Sequence, residues 1–334
     1  MRPLCYLQRI DFMMEKKDLK IVFLGTPDFA VESLRRLVEG GYNVVGVVTM
    51  PDKPAGRGHK MLHSPVKQYA EANGLYLMQP PKLKATEFVD ELRALDADLF
   101  IVIAFRMLPE VVWTMPRLGS FNLHASLLPR YRGAAPINWA VMNGDSVTGV
   151  TTFFLKHEID TGDVIDQKSI EIGPDECVGD VHDRLMMLGA DLTIDTVDRI
   201  LAGNLTAMPQ DALEGEPTAA PKIFKETCRI DWTRTSREVH NHVRGLSPYP
   251  AAWTLLARED GEEPINAKIF ATRLLADGEC VVPGGTVPGA VHVDGNHLYV
   301  ATGDGWIEIL SLQPAGKRRM QADEFLRGYR LASV

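Results

Sequence analysis

Between Leu19 and Leu155, short uninterrupted runs of Val, Ile, Leu and Phe alternate with segments of helical periodicity. The strand-like runs are Leu19–Leu24, Tyr42–Val48, Leu75–Met78, Asp98–Ala104, Phe121–His124 and Gly149–Leu155. Among the intervening segments, Pro27–Glu39 brings Phe29, Val31, Leu34 and Leu37 round at helical spacing before Gly40-Gly41 stops it. Thr86–Leu95 and Ala134–Met142 also read as helices. A strand without polar alternation is covered on both faces, and interleaved helices are what cover a parallel sheet. The pattern predicts an α/β, Rossmann-like domain on a parallel sheet, closed by a long helix from Cys177 to about Ala202.

That pattern stops at Asn204. Residues 205–222 are rich in Pro, Ala and Gly, lack periodicity and read as a linker. Beyond them, short β-rich runs (Asn266–Arg273, Ala290–Val293, Leu298–Thr302, Trp306–Leu312) lie between Gly and Asp turn signals, after one helix around Ser236–Gly245. That cadence predicts a small barrel. A length of 334 residues fits two domains. The expected division is an unstructured extension over 1–13 with a start near Met14, a first domain over 14–204, the linker over 205–222 and a second domain over 223–334.

Composition narrows the classes. The longest apolar blocks, such as Leu99–Phe105, are strand-length, far below the ~18–20 residues of a membrane helix, so no integral membrane protein is expected. Net charge is -8, which argues against a protein coated in nucleic acid but leaves room for a local basic patch. Cys5, Cys177, Cys228 and Cys280 are widely spaced, with no C-x-x-C, and fit a reducing cytoplasm.

The richest segment for chemistry is Gly119–Gly133, GSFNLHASLLPRYRG. In a strand, Asn122 and His124 share one face while Phe121 and Leu123 take the other. Ligands of open α/β sheets bind beyond the carboxyl ends of the strands, where this amide–imidazole pair falls. The plain alternative is a core histidine beside an ordinary strand-end Asn. Asp160-Thr-Gly resembles an aspartic-protease signature, but such enzymes need two aspartates sharing a proton and no second signature occurs. Its ordinary reading is a tight turn with Gly162 at positive φ; its functional reading makes Asp160 an acid/base group facing Asn122 and His124.

Gly25-Thr-Pro-Asp after the first strand lacks the G-x-G-x-x-G of a dinucleotide site, and Asp28 would repel a pyrophosphate. His240-Asn-His242 reads as helix surface, and no metal is assigned. The loop Pro51-Asp-Lys-Pro-Ala-Gly-Arg-Gly-His-Lys is either a solvated surface loop or one ordered by an anionic partner, with Arg57 between two glycines.

Together these segments resemble the methionyl-tRNA formyltransferases, within the wider family of 10-formyltetrahydrofolate transformylases. The resemblance rests on GTPDFA after the first strand, PDKPAGRG, Asn122-x-His124 with SLLPRYRGAAPINWA, IDTGDVI around Asp160, KIFKETCRIDW, GLSPYPAAW and QPAGKRRM, and runs from about Leu19 almost to the end. The Asn/His/SLLP/Asp set is common to all these transformylases; the PAGRG loop and the C-terminal segments single out the enzymes acting on tRNA.

The resemblance implies a Rossmann-like formyltransferase domain, a linker and an OB-like β-barrel that binds tRNA. It implies formyl transfer from 10-formyltetrahydrofolate to the α-amino group of methionine on charged initiator tRNA, in the cytoplasm, without a metal or an obligate protein partner. Asn122 and His124 would donate to a tetrahedral oxyanion and Asp160 would relay the proton. Ser126, Leu127, Leu128 and Pro129 would hold the folate. Arg57, His59 and Lys60, with Lys317, Arg318 and Arg319, would contact tRNA. The competing expectations are a formyltransferase for a nucleotide-sugar amine and a non-catalytic tRNA-binding protein on the same scaffold.

Overall fold

The apolar runs of the first half become the strands of one seven-stranded sheet. The computed structural model describes residues 14–55, 60–276, 279 and 287–334. The extension expected over 1–13 lies outside the described residues, as do Arg57 and His59; Lys60 is described only in its backbone, at the start of the strand Lys60–Leu62. Within the described residues the chain forms two compact units. The first runs to Gly133 and adds Gly149–Ile170 and Asp183–Ala219. The second comprises Ala134–Thr148, Glu171–His182 and Ala220–Val334.

The strands of the first sheet are β1 (Ile21–Gly25), β2 (Val44–Val48), β3 (Leu77–Met78), β4 (Leu99–Ile103), β5 (Ser120–His124), β6 (Val147–Phe154) and β7 (Val164–Glu171). Their order across the sheet is β7-β6-β5-β4-β1-β2-β3. The pairs β1–β2, β2–β3, β1–β4 and β4–β5 are parallel. Every residue of β1 and β4 is buried, as their unbroken apolar sequences require. The chain winds outward from β1 in one direction and from β4 in the other. The carboxyl ends of β1, β4 and β5 therefore share one edge, with Gly25 opposite Ile103 and Ile103 opposite Leu123.

Two expectations about this sheet need correction. The sixth strand is antiparallel to β5, pairing Phe121 with Phe154 and His124 with Thr151. The sheet also continues into a seventh strand, whose sequence VIDQKSIE carries too much polarity to read as a buried parallel strand. Its position at the sheet edge leaves one side open and explains that polarity.

The helix Val178–Leu201 covers β5 and β6 through its second half. A Cβ on Gly189 would meet Leu123 Cδ2 at 2.7 Å, and Thr196 Oγ1 is hydrogen-bonded to Thr152 Oγ1 at 2.9 Å. Packing of this helix on Leu123 turns the opposite face of β5, with Asn122 and His124, away from it.

In the second unit β8 (Ala252–Leu256), β9 (Ile265–Leu274), β10 (Val291–Asp294), β11 (His297–Ala301) and β12 (Trp306–Pro314) form an antiparallel sheet of order β8-β9-β12-β11-β10, with Met320–Gln321 added on β12. The last residues of the chain join its two edges. Ala332 N–H donates to Ala257 O at 3.0 Å beyond β8, and Val334 N–H donates to Val291 O at 2.9 Å on β10. The antiparallel architecture is that of the expected β domain, and this tail is the stave between its edges.

The helix Ser236–Leu246 starts with a capping box between Thr235 and Glu238 and packs Val239, Val243 and Leu246 into the core beside Ile269, Leu298 and Ile309. The expectation that His240 and His242 lie on a helix surface is wrong. His240 is buried and bonded to Thr272 Oγ1 at 3.0 Å, and His242 Nε2 is enclosed. His240 is covered by Thr272 on β9 and by Pro174 O, 3.3 Å from its Nε2, while the helix Pro136–Met142 lies against another side of the same helix, with Asn138 Nδ2 donating to Gly245 O at 2.8 Å.

Candidate active site

β5 ends at His124, and the chain turns at once into the loop 125–131. His124 is buried. Its Nε2 stands 2.8 Å from Tyr131 O, and a carbonyl only accepts, so Nε2 carries a proton and donates. That leaves Nδ1 as the nitrogen facing Asp160. Nδ1 lies 3.9 Å from Asp160 Oδ2, beyond hydrogen-bond reach but within the range of a charge pair. The ring meets Phe153 edge-on at 6.4 Å between centroids.

Asp160 comes from the loop between β6 and β7 and has a left-handed backbone, φ +55. Its Oδ2 accepts the Gly133 N–H at 2.9 Å; among the described residues its Oδ1 has no partner. Positive φ therefore falls at Asp160 and not at Gly162, where the plain tight-turn alternative would put it. Gly162 is glycine for another reason: a Cβ there would lie 1.6 Å from Phe154 O.

Asn122 sits on the same face of β5 as His124, two residues earlier. Its side-chain amide makes no hydrogen bond among the described residues, and Oδ1 is enclosed. An amide left unpaired in a half-buried position costs stability unless a ligand completes it. The structure thus brings His124 and Asp160 together directly and sets Asn122 beside them on the strand.

The Ser126–Pro129 loop is held from the neighbouring strands. Thr151 Oγ1 donates to Ser126 O at 2.6 Å and accepts from Leu128 N–H at 3.2 Å. Gln167 Nε2 donates to Leu128 O at 2.8 Å. Ser126 Oγ turns inward to Arg130 O at 2.7 Å, and Leu128 is buried against Phe153 and Val164. At the same sheet edge two further polar atoms are enclosed without partners: Thr26 Oγ1 after β1 and Arg106 Nε after β4. Burial pulls the Arg106 guanidinium below its ordinary pKa. Orphaned donors and acceptors at the carboxyl edge fit a ligand bearing many hydrogen-bonding groups, as a folate does. Among the described residues no group of three or more His, Cys, Asp or Glu is placed to hold a metal ion.

Sequence reasoning did not single out Gln210, in the segment read as a linker. Its side chain is 3% exposed and bonds Asp160 O at 2.8 Å, Gly162 O at 2.9 Å and Arg132 Nη2 at 2.7 Å. No local pattern could have shown this, because the partners lie about 50 and 80 residues earlier.

An unpaired strand-end amide, an imidazole and a facing carboxylate sit together at the carboxyl edge of an α/β sheet, where the ligands of such sheets bind. The chain belongs to the formyl transferase family. It matches the family's "Formyl transferase" model over residues 19–197 and its "Formyl transferase, C-terminal domain" model over residues 222–330. Its relatives include the methionyl-tRNA formyltransferase of Bacteroides fragilis, 60% identical over 324 residues that cover 96% of this chain and 98% of that protein. The methionyl-tRNA formyltransferase of Flavobacterium johnsoniae is 51% identical over 316 residues, covering 94% and 97%. Among solved structures, an N-formyltransferase from Helicobacter canadensis, in complex with folinic acid and dTDP-3-aminofucose, superposes with a TM-score of 0.63 at 19% identity over 89% of this chain and 99% of that one. That likeness is one of fold.

Proposed function

We propose that this chain transfers the formyl group of 10-formyltetrahydrofolate to the α-amino group of methionine on charged initiator tRNA. The carrying observation is the set formed by Asn122, His124 and Asp160 in a chain 60% identical to a methionyl-tRNA formyltransferase along nearly its full length. When bound, the folate supplies a formyl carbon at N10. Ser126–Pro129 and the strand-end atoms Thr26 Oγ1 and Arg106 Nε are the groups to hold it.

The protein's own work is electrostatic. Asn122 Nδ2 offers two N–H donors with no competing partner, and His124 offers a third on Nδ1 when protonated there. Both suit an oxygen on which negative charge develops. Donors already fixed by strand and loop cost no reorganisation during the reaction. Asp160 Oδ1, without a partner among the described residues, is the base that takes the proton lost by the attacking amine and relays it to N10 as the N10–formyl bond breaks.

The family matches support a catalytic domain over 14–204, a linker over 205–222 and a tRNA-binding domain over 223–334. The tRNA contacts fall in two places. Arg57, His59 and Lys60, which follow β2 in the sequence, are assigned to the acceptor end. In the second unit Lys317 and Arg318 are exposed beside a cavity of about 630 Å³ lined in part by Phe224, Lys225, Tyr249, Trp253 and Lys268. Phe224 is 59% and Tyr249 81% exposed, with Lys225 and Arg229 over the Trp253 ring at 5.8 and 5.7 Å. Exposed rings among cations suit RNA bases and phosphates. Arg319 is partly committed elsewhere, lying 4.5 Å over Phe270 and donating to Ser311 Oγ at 2.9 Å. Among the described residues no helix is long and apolar enough to cross a membrane, and the proposed reaction places the protein in the cytoplasm.

The test is to supply the purified protein with 10-formyltetrahydrofolate and, in parallel, charged initiator tRNA or a dTDP-amino sugar. Formylation of the methionyl-tRNA alone is expected. Formylation of the sugar alone would overturn the reading.

A further inference from the structure

Gln210 is the most completely satisfied side chain near the site. Its two amide N–H groups donate to Asp160 O at 2.8 Å and Gly162 O at 2.9 Å. Its Oε1 accepts from Arg132 Nη2 at 2.7 Å and Nε at 3.2 Å. Both donors and both lone pairs are spent, and the partners fix the orientation, because carbonyls need the nitrogen and a guanidinium needs the oxygen. The backbone beneath is pinned as well. Met208 and Val164 exchange N–H···O bonds of 2.8 and 2.7 Å, two residues before Gln210 and at the first residue of β7.

From this geometry we infer that Gln210 is a positioning residue for formyl transfer, acting through Asp160. Asp160 holds a left-handed backbone, φ +55, one that Asp adopts more readily than most L-residues but that is one of several open to it. The carbonyl that Gln210 grips is Asp160's own, so the bond holds that conformation. The other end of the carboxamide grips Arg132, whose successor Gly133 donates its N–H to Asp160 Oδ2 at 2.9 Å. One buried carboxamide thus ties the Asp160 loop to the loop that leaves His124. A carboxylate could still accept from Arg132 but would face two carbonyl oxygens with no hydrogen to offer. Glutamine, and not glutamate, is what this position requires.

The inference rests on the formyl-transfer reading, and the experiment separates the two. Formylation rates are measured for the wild type, Gln210→Met, Asp160→Asn and the double variant, with KM for both substrates and melting temperatures. Gln210→Met in the wild-type background is expected to lower kcat about tenfold to a hundredfold, the scale of a small misplacement of a reacting group. KM for the folate should stay within about twofold, on the same argument that positioning acts in kcat. In the Asp160→Asn background, the same change should lower the residual kcat by less than about twofold, because the carboxylate it positions is gone. Equal losses in both backgrounds, or an unchanged kcat in folded Gln210→Met, overturns the inference. If Gln210→Met does not fold, Arg132→Met carries the same cycle from the half-buried end of the network. A wild type inactive on methionyl-tRNA refutes the functional reading instead.

Discussion

His124 Nδ1 stands 3.9 Å from Asp160 Oδ2, while that same oxygen accepts the Gly133 N–H at 2.9 Å. The carboxylate is therefore anchored by backbone and not by the imidazole. The two side chains face one another without a shared hydrogen bond, which leaves Nδ1 and Oδ1 available to a substrate. Two loops from different strands create this arrangement, one leaving β5 and one joining β6 to β7.

Replacing Asp160 tests both chemistry and strain. Asp160→Asn keeps an oxygen for Gly133 and a residue type that tolerates positive φ; Asp160→Ala keeps neither. Both should lose about 10²–10⁴ in kcat, the range of general-base catalysis. Thermal melts should separate them, with Asn close to wild type and Ala lower by roughly 1 kcal/mol or more. Equal activity of wild type and Asp160→Asn would remove Asp160 from the mechanism.

Asn122→Ala and His124→Ala should each cost about 10²–10³ in kcat, the usual effect of losing one oxyanion donor. Asn122→Ala also removes an enclosed, unpaired oxygen, so its melting temperature should hold or rise. Differential scanning calorimetry alongside turnover checks both halves. A variant that gains stability while losing rate marks a residue kept for catalysis.

Gly162 carries a different demand. With Phe154 O 1.6 Å from where a Cβ would lie, Gly162→Ala must displace the β6 backbone or the Asp160 loop. A loss of at least ~3 kcal/mol is expected, at the upper end of overpacking effects. Chemical denaturation measures it. A wild-type midpoint for Gly162→Ala would show that the loop can move freely, contrary to its bonding.

What was legible in the sequence had a period. Asn122 and His124 fall two apart in an apolar strand, so their common face followed from strand geometry alone. The all-buried β1 and β4 were equally plain. Gly162 was legible as a glycine but not for its reason, since its neighbour Phe154 O belongs to another strand. His240 and His242 looked exposed because helical periodicity shows one buried face, and nothing local signals the distant segments that pack on the others. Gln210 lay in a stretch without periodicity, and its partners are contributed by distant loops. β7 was hidden because an edge strand may be polar.

The buried His240 and the half-buried His242 predict a pH dependence. Burial, above all, lowers the pKa of both His240 and His242 from the ordinary 6.5, so the folded protein binds fewer protons than the unfolded chain below that value. Their contribution is fully present above pH ~6.5 and is lost as the pH falls through and below it. Thermal melts from pH 7.5 to 5.5 should show a falling midpoint. Replacing His242, whose Nε2 has no partner, with Gln should flatten that fall. An identical slope in the variant would locate the acid sensitivity elsewhere.

The last expectation concerns how a chain of net charge -8 grips tRNA. Uniform attraction is excluded, so the contacts must be local. Lys317, Arg318 and Arg319 directly follow Gly316, which lines the aromatic cavity, yet the structure divides them. Lys317 has no side-chain partner among the described residues, and Arg318, itself exposed, pairs with the half-buried Glu324 and donates to Arg319 O at 3.4 Å. Both can turn to phosphates at little cost, because an exposed ion pair contributes at most about 1 kcal/mol. Arg319 is braced on Phe270 and Ser311 and has less freedom to turn. Lys317→Ala with Arg318→Ala should raise KM for tRNA and lower its log–log salt slope by up to about two units, at ~0.7–0.9 per phosphate contact. Folate binding and melting temperature should hold. Arg319→Ala should instead lower the melting temperature, because it removes a stacked guanidinium and its hydrogen bond, with a smaller change in slope. The measurement is KM for tRNA across a salt series for both variants. An unchanged slope in the double variant would move the phosphate grip away from this end of the second unit, leaving Lys225, Arg229 and Lys268 around the cavity as its remaining candidates.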